Sequence, residues 1–209
     1  NPVIKARAFW LLINTQNAKK YIDIAAKDTN PNIRIIAIRG ANLINNATIE
    51  TVKSLIKDPD AQVRRECILA LRNSKAPEAP SLWAQLAMQH TGADRWYLEA
   101  LGIGADEQWD SFLDAYFKVT GDPLQTKAGT DIIWRARSEK AVPYLAKLAA
   151  DATVPLQQRL RYFRAFDFNS GSLKSSLLLQ MIDHSATADV ALNKVILHAL
   201  DIKSVMQSS

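Results

Sequence analysis

The sequence predicts an all-α protein, an α-α superhelix of about six to seven stacked helix pairs. The first observation is an internal repeat, because residues 28–44 and residues 58–72 carry related segments thirty positions apart. The second is that apolar residues recur at helical spacing along the chain, whereas a strand period is almost absent. The third is that the seven glycines and eight prolines fall between the helical patterns. Together these features are typical of a solenoid.

The helical pattern divides the chain into thirteen segments, of which all but the first belong to pairs. Segment 3–14 is expected to be the second helix of an incomplete repeat. Asn-Pro, Asp-Pro and Gly-Asp-Pro sequences mark breaks between segments, because proline begins a helix but does not continue one. Gly102 and Gly104 are expected to end one helix in the left-handed C-cap conformation. The predicted pairs are 17–27 with 31–44, 48–57 with 60–73, 78–90 with 94–103, 107–119 with 124–137, 140–150 with 154–167, and 172–183 with 187–201.

Each predicted helix has a single apolar stripe, so it needs neighbours to bury that stripe. In segment 60–73 the stripe contains Val63, Cys67 and Ala70. When helix pairs stack, their apolar stripes form one continuous core along the stack, and no central globular core is needed. No linker or low-complexity tract interrupts the pattern, and residues 1–209 are therefore expected to form one repeat domain. Cys67 is the only cysteine and occupies the position of Ala37 one repeat earlier, which favours a buried structural thiol.

Composition limits the kind of protein further. Hydrophobic residues make up 48% of the chain and charged residues 22%, which suits a folded domain. No run of eighteen apolar residues is present, so no transmembrane helix is predicted. The chain begins inside a helical pattern without an initiator methionine or a signal peptide. We therefore expect it to be a fragment of a longer multidomain protein.

A residue pattern within the repeat supports a family resemblance. The pattern D-x-x-x-x-[VI]-R-x-x-[AC]-x-x-[AG] is met at 28–40 and again at 58–70. It resembles the HEAT repeat in its short form, which implies a HEAT-like solenoid. The resemblance also implies that Asp28 and Arg34, with Asp58 and Arg64, bond between adjacent layers in a structural ladder.

A narrower resemblance covers residues 94–110, DRWYLEALGIGADEQWD, and the opening segment RAFWLL. Both are similar to the HEAT region of bacterial membrane-bound dehydrogenase-like proteins. Those proteins join a β-propeller, a helical repeat region and a c-type cytochrome domain with a CxxCH motif. The resemblance implies a periplasmic or cell-envelope location, with a cytoplasmic one left open. The chain itself contains no CxxCH, so any oxidoreductase chemistry of such a parent would lie outside these residues.

No motif in the chain points to catalysis. The sequence contains no GxSxG, P-loop or GxGxxG, and its three histidines lack metal-ligand spacing. An acidic cluster at 106–114 faces one side of a helix, where such residues usually complement the helix dipole. We therefore expect that the fragment is not an enzyme and that it binds neither a cofactor nor a metal ion.

Charge is segregated along the second half of the chain. Residues 94–131 hold eight acidic and three basic residues, whereas residues 132–166 hold seven basic and two acidic ones. Second helices line the concave face of a HEAT-like solenoid, and arginine and aromatic side chains dominate interface hot spots. The alternative for each of these residues is that it lies on a solvated helix face or forms an ion pair with the neighbouring acidic block. The expected partner-binding residues are Arg95, Trp96, Glu99, Trp134, Arg135, Arg137, Arg161 and Arg164.

These features favour a non-catalytic scaffold module that holds a protein partner or a neighbouring domain in its concave face. The alternative is a HEAT-like alkylpurine DNA glycosylase or DNA-binding protein, with Trp96, Trp109, Trp134 and Asp131 in the groove. The net charge of +5 suits nucleic acid, but the acidic block interrupts the basic stripe that a duplex needs. A similarity of the short repeats to those of bilin lyases leaves a cofactor-attachment role as a third possibility.

Overall fold

The computed structural model describes residues 1–44, 47–183 and 189–200, and within these ranges it is helical without strands. The predicted all-α class is confirmed, and the described helix ends lie within three residues of the predicted ones. His184 and parts of the last predicted segment, 187–201, lie outside the described residues. The α-helices are α1 Pro2–Ile13, α2 Ala18–Ala26, α3 Pro31–Ala41, α4 Thr48–Leu55, α5 Ala61–Ala70, α6 Ala79–Ala87, α7 Arg95–Gly104, α8 Trp109–Thr120, α9 Lys127–Arg135, α10 Val142–Ala150, α11 Leu156–Ala165, α12 Ser172–Gln180 and α13 Val190–Ala199.

Polar side chains cap the starts of α3, α5 and α7, the second helices of three successive pairs. Asn30 accepts a hydrogen bond from the backbone N–H of Asn32 at the start of α3, where proline occupies the first turn. Asp60 caps α5 in the same way, and Asp94 caps α7. Such caps satisfy backbone N–H groups that have no partner within the helix. Among the described residues, none of the helices has the length and hydropathy of a membrane-spanning segment.

The chain divides into two compact units, and the first spans Asn1–Asp122. Helices α1, α3, α5 and α7 lie side by side in one layer, and α2, α4, α6 and α8 form the second. The even-numbered helix of each pair supplies one layer and the following odd-numbered helix the other, as a helix-pair solenoid requires. Fully buried apolar side chains fill the space between the layers, among them Ile22, Ile33, Ile38, Ile68 and Leu71.

An aromatic cluster closes the core of the first unit at α8. Trp83 is fully buried, and its ring centroid lies 5.8 Å from that of Trp109 and 5.5 Å from that of Phe112. The Trp83 indole Nε1–H donates to the Leu101 carbonyl oxygen at 3.1 Å. Burial of the large ring and satisfaction of its one polar group together hold α6 against both α7 and α8.

One rung of the predicted ladder is present. Arg34 of α3 donates from Nε to Oδ2 of Asp58 at 2.6 Å and from Nη2 to Oδ1 at 2.8 Å. Burial raises the pKa of the Asp58 carboxyl, but hydrogen bonds from Arg34 and from the Asp60 N–H outweigh it and lower the pKa overall. This bidentate pair connects the second repeat to the first, as the sequence predicts. Asp28 pairs in turn with Lys5 of α1.

The same expectation is wrong for Arg64. Its Nη1 donates to the Asp58 carbonyl oxygen at 2.6 Å, and its guanidinium carbon lies 5.7 Å from the ring centroid of Tyr97. Counted between the N-cap residues Asn30, Asp60 and Asp94, the next interval is thirty-four positions instead of thirty, so Gly92 occupies the position equivalent to Asp58. Glycine offers no carboxylate to Arg64, and the neighbouring Arg65 forms a 3.3 Å ion pair with the capping residue Asp94.

The expected glycine C-cap of α7 is also wrong. Gly102 and Gly104 are both buried helical residues, and the C-cap residue that follows them, Ala105, has a right-handed conformation. A methyl group added at Gly104 would lie 2.5 Å from the carbonyl oxygen of Ile68 in α5. Glycine is therefore needed here for close packing of α7 against α5.

The second unit spans Pro123–Ser209. Within its described residues, α9, α11 and α13 lie side by side, and α10 and α12 form the opposite layer. Ile132, Leu145, Phe166 and Leu178 are fully buried in its core. The predicted pair 107–119 with 124–137 corresponds to α8 and α9, which belong to different units. A single repeat domain over residues 1–209 stays a prediction.

Candidate partner-binding site

A groove runs across the second helices of the first unit, and we call it the Trp96 groove. Its volume is about 460 Å³, and its lining is mostly apolar. A groove of this size accommodates a few side chains of a partner or a drug-sized molecule. Its lining residues are Ile35 and Arg39 of α3, Gln62, Arg65, Glu66 and Leu69 of α5, and Trp96, Glu99, Ala100 and Ile103 of α7.

The groove arises from the repeat itself. Equivalent positions of α3, α5 and α7 carry Ile35, Arg65 and Glu99, and the equivalent positions one turn later carry Arg39, Leu69 and Ile103. Helices that stack in register bring equivalent positions next to one another, so two turns of three helices make a continuous strip.

Trp96 is the most prominent side chain of the groove, with 73% of its surface exposed. The Asp94 cap starts α7 and orients Trp96 outward, because the next residue, Tyr97, faces the core. The Tyr97 hydroxyl donates to the Leu86 carbonyl oxygen at 2.9 Å and is fully enclosed. Arg95 lies beside the groove with its side chain 85% exposed, and its Nε is 3.9 Å from a carboxylate oxygen of Glu99.

The charges around the Trp96 groove are largely paired. Arg39 forms two hydrogen bonds with the Glu66 carboxylate, at 2.9 and 2.8 Å, and the bond to Glu66 raises the pKa of Arg39. Arg65 contacts Asp94. Lining bases and lining acids are equal in number. The groove is therefore suited to an apolar group framed by polar contacts and offers no stripe of positive charge to a nucleic acid.

In the second unit, Trp134 and Arg161 contact each other. The Trp134 indole Nε1–H donates to the Arg161 carbonyl oxygen at 3.0 Å, and the Arg161 guanidinium carbon lies 4.2 Å from the indole centroid. Arg161 also contacts the buried Asp131 at 2.7 Å, and Lys127 approaches the other carboxylate oxygen at 2.9 Å. These contacts join α9 to α11 and use much of the hydrogen-bonding capacity of Arg161.

Of the remaining predicted residues, Arg135 and Arg137 are half-buried and Arg164 is exposed. Arg135 is half-buried in the last turn of α9, and Arg137 stacks over the Phe168 ring with its guanidinium carbon 4.1 Å from the centroid. Arg164 is exposed on α11. The structure thus brings Trp96 and Glu99 into one groove, and Trp134, Arg161 and Asp131 into one cluster. The partner-binding roles of all eight residues stay predictions.

Several groove residues were missed from the sequence. Ile35, Leu69 and Ile103 are apolar lining residues of the groove together with Trp96, and no functional role was predicted for any of them from the sequence. Leu69 and Ile103 recur at equivalent positions of α5 and α7, and Ile35 lies one turn earlier on α3; this clustering on successive second helices is the signal that would have found them. Among the residues named for the DNA alternative, Trp109 is buried against Trp83.

The described residues do not favour metal binding or thiol chemistry as a further kind of site. Within residues 1–44, 47–183 and 189–200, no group of three or more histidine, cysteine, aspartate or glutamate residues could hold a metal ion. Burial raises the pKa of the Cys67 thiol to about 12, which keeps it protonated and unreactive.

Comparison with known proteins supports the layered architecture. The family model described as HEAT repeats matches residues 18–102, the segment that contains α2 to α6 and most of α7. No curated protein and no solved structure matches the chain. Residues 18–102 and the two helix layers of the first unit thus agree on a HEAT-like solenoid.

Proposed function

We propose that this protein is a non-catalytic interaction module and that the Trp96 groove holds a protein partner or a neighbouring domain of the same polypeptide. HEAT repeats commonly provide extended surfaces for protein binding. The observation that carries the proposal is the exposed Trp96 ring, which stands over a strip of apolar side chains shared by three stacked helices.

The energetic argument rests on the indole. A tryptophan buries roughly 150–250 Å² of surface when it is covered. At about 25 cal/mol per Å², covering most of the exposed Trp96 ring contributes roughly 3 kcal/mol. Ile103, which is also exposed, extends the apolar strip along α7. The Arg39–Glu66 pair adds directional polar contacts, and covering a paired charge costs less free energy than covering an isolated one.

The partner is therefore expected to present an apolar side chain to Trp96 and polar groups to the Arg39–Glu66 pair. A photo-reactive phenylalanine analogue at position 96 identifies what covers the groove. The same analogue at position 24 is a matched control, because Ile24 is an exposed apolar residue on α2, in the opposite layer. Cross-linking in the complete gene product separates a partner chain from a neighbouring domain.

Affinity measurements with the identified partner then test the site. Trp96→Ala is expected to weaken binding by at least about thirtyfold, the size of a hot-spot loss near 2 kcal/mol. Ile24→Ala is expected to change the dissociation constant by less than about threefold. Equal cross-linking from both positions, or equal affinity of the Trp96→Ala variant and the native chain, would show that the groove is not the binding site.

We also propose the kind of parent protein to which this chain belongs and its location in the cell. The similarity of residues 94–110 to bacterial dehydrogenase-like proteins supports a parent protein with a propeller and a haem domain, located in the periplasm or cell envelope. The complete gene tests this directly, because a downstream CxxCH and a strand-rich upstream region are expected. The DNA alternative gains no support, since the Trp96 groove is balanced in charge and Asp131 is held by Lys127 and Arg161.

A further inference from the structure

A separate cavity lies within the second unit, between α11 and α13. Its volume is about 470 Å³, within the range of small-molecule sites. Its lining includes the exposed residues Arg164, Lys194 and His198, so the cavity is open to solvent. We call it the α11–α13 cavity. Its lining residues are Leu160, Phe163, Arg164, Asp167, Phe168, Lys194, Val195, His198 and Ala199.

The floor of the α11–α13 cavity is apolar. Positions 160, 163, 164, 167 and 168 follow helical spacing, so one stripe of α11 and the turn after it faces α13. Phe163 is buried at the base, and Phe168 is 62% exposed at the side. Most of the cavity surface is carbon, which favours the body of an apolar ligand over a water-filled polar site.

The rim of the α11–α13 cavity is basic. Arg164 lies on one wall, and Lys194 and His198 lie one helical turn apart on the other, whereas Asp167 is the single acid of the lining. Within the part of the chain that the structure describes, no hydrogen bond or ion pair engages the side chains of these three basic residues. The guanidinium carbon of Arg137 lies 4.1 Å from the ring centroid of Phe168 and adds a further positive charge next to this lining residue.

Apolar floor and basic rim together define the chemistry of the occupant. We propose that the α11–α13 cavity binds an amphiphilic organic anion, an aliphatic or aromatic carboxylate whose apolar body lies against Phe163 and Val195. The carboxylate then accepts hydrogen bonds from Arg164 and Lys194. Charge-assisted hydrogen bonds of this kind are about twice as strong as neutral ones. This site goes beyond the interaction role of the first unit and is independent of it.

Binding of octanoate to the full 209-residue chain, measured by calorimetry, tests the charge requirement. Octanoate is expected to bind saturably, and 1-octanol and octyltrimethylammonium, which share its chain but not its charge, at least about tenfold more weakly. Saturable binding of all three with equal affinity, or of none, would overturn the proposal. Tighter binding of an acidic amphipathic peptide without any octanoate binding would overturn it as well, because the occupant would then be a protein segment.

Variants locate the site. Arg164→Gln combined with Lys194→Gln is expected to lower octanoate affinity at least about tenfold, because two charge-assisted contacts are lost. Lys57→Gln combined with Lys147→Gln removes the same charge from exposed positions outside the cavity and is expected to leave affinity unchanged. If the first variant does not fold, Lys194→Gln alone, on the exposed face of α13, serves in its place. Equal losses in test and control variants would contradict the assignment.

Methyl NMR gives a readout that does not depend on charge. Titration with octanoate is expected to shift the methyl signals of Leu160 and Val195, which line the α11–α13 cavity, and to leave those of Leu69 in the first unit in place. Shifts confined to the first unit would place the ligand elsewhere and refute the proposal.

Discussion

The Arg34–Asp58 rung makes a stability prediction that the structure allows us to work out in magnitude. In Asp58→Asn the side chain keeps its shape, and its amide oxygen still accepts from the Asp60 N–H at the site of the present 2.9 Å bond. What is lost is the negative charge opposite Arg34, in a place where the Asp58 and Arg34 side chains are only 4% and 12% exposed.

Removing one partner of a buried ion pair costs about 3–5 kcal/mol, because the other charge is left buried. Arg34 retains hydrogen bonds to the carbonyl oxygens of Asp28 and Thr29, at 2.8 and 3.1 Å, so the lower end of this range applies. We expect Asp58→Asn to lower the free energy of unfolding by about 3 kcal/mol at pH 7. Urea unfolding followed by tryptophan fluorescence, with amide exchange in α3 and α5, measures this difference.

The same rung predicts a pH dependence with a definite sign. The folded pKa of Asp58 is lowered, so its contribution is fully present above the unfolded value of about 3.9. It is lost as the pH falls through the folded pKa. The stability difference between the native chain and Asp58→Asn is therefore expected to be constant near neutrality and to shrink below about pH 4.

An exposed ion pair provides the control for Asp58→Asn. Asp23 pairs with Lys19 on the surface of α2, and Asp23→Asn is expected to change stability by no more than about 0.5 kcal/mol. A loss below about 1 kcal/mol for Asp58→Asn, or a difference that does not shrink in acid, would refute the argument that this rung is a buried, stabilising ion pair.

Two further predictions concern the first unit. Gly104→Ala is expected to lower the free energy of unfolding by about 2 kcal/mol in thermal denaturation, because the new methyl group meets the Ile68 carbonyl oxygen; unchanged stability would mean that α7 and α5 can separate without cost. Cys67, with its pKa raised to about 12 by burial, is expected to resist iodoacetamide at pH 8 until urea unfolds the protein. Alkylation of the native protein at the rate of a free thiol would contradict its burial.

Short-range information sufficed for the helices and for one interlayer contact. The apolar stripes, the proline breaks and the capping residues Asn30, Asp60 and Asp94 act over a few positions, so helix ends could be predicted to within three residues. The Arg34–Asp58 rung was predictable because the interval between the two repeats is regular. The contact of Arg64 was not, because the next interval is four positions longer and places Gly92, which has no carboxylate, at the position equivalent to Asp58.

For the candidate sites as well, some features could be predicted from the sequence and others only from the folded structure. From the sequence, Arg161 and Trp134 were indistinguishable from Arg164 and Trp96, since all four are basic or aromatic residues on second helices. In the folded chain, Arg161 and Trp134 contact each other across α9 and α11, whereas Trp96 stands exposed over a groove and Arg164 lines a cavity.

The sequence by itself therefore determined the helices, their pairing within each unit and the layered class of fold, because hydrophobic periodicity and capping are local properties of the chain. Only the tertiary structure decided which polar and aromatic side chains are engaged between layers and which face outward. That choice depends on the register and close approach of neighbouring helices, as Gly104 against Ile68 shows, and those distances are set by packing between residues far apart along the chain.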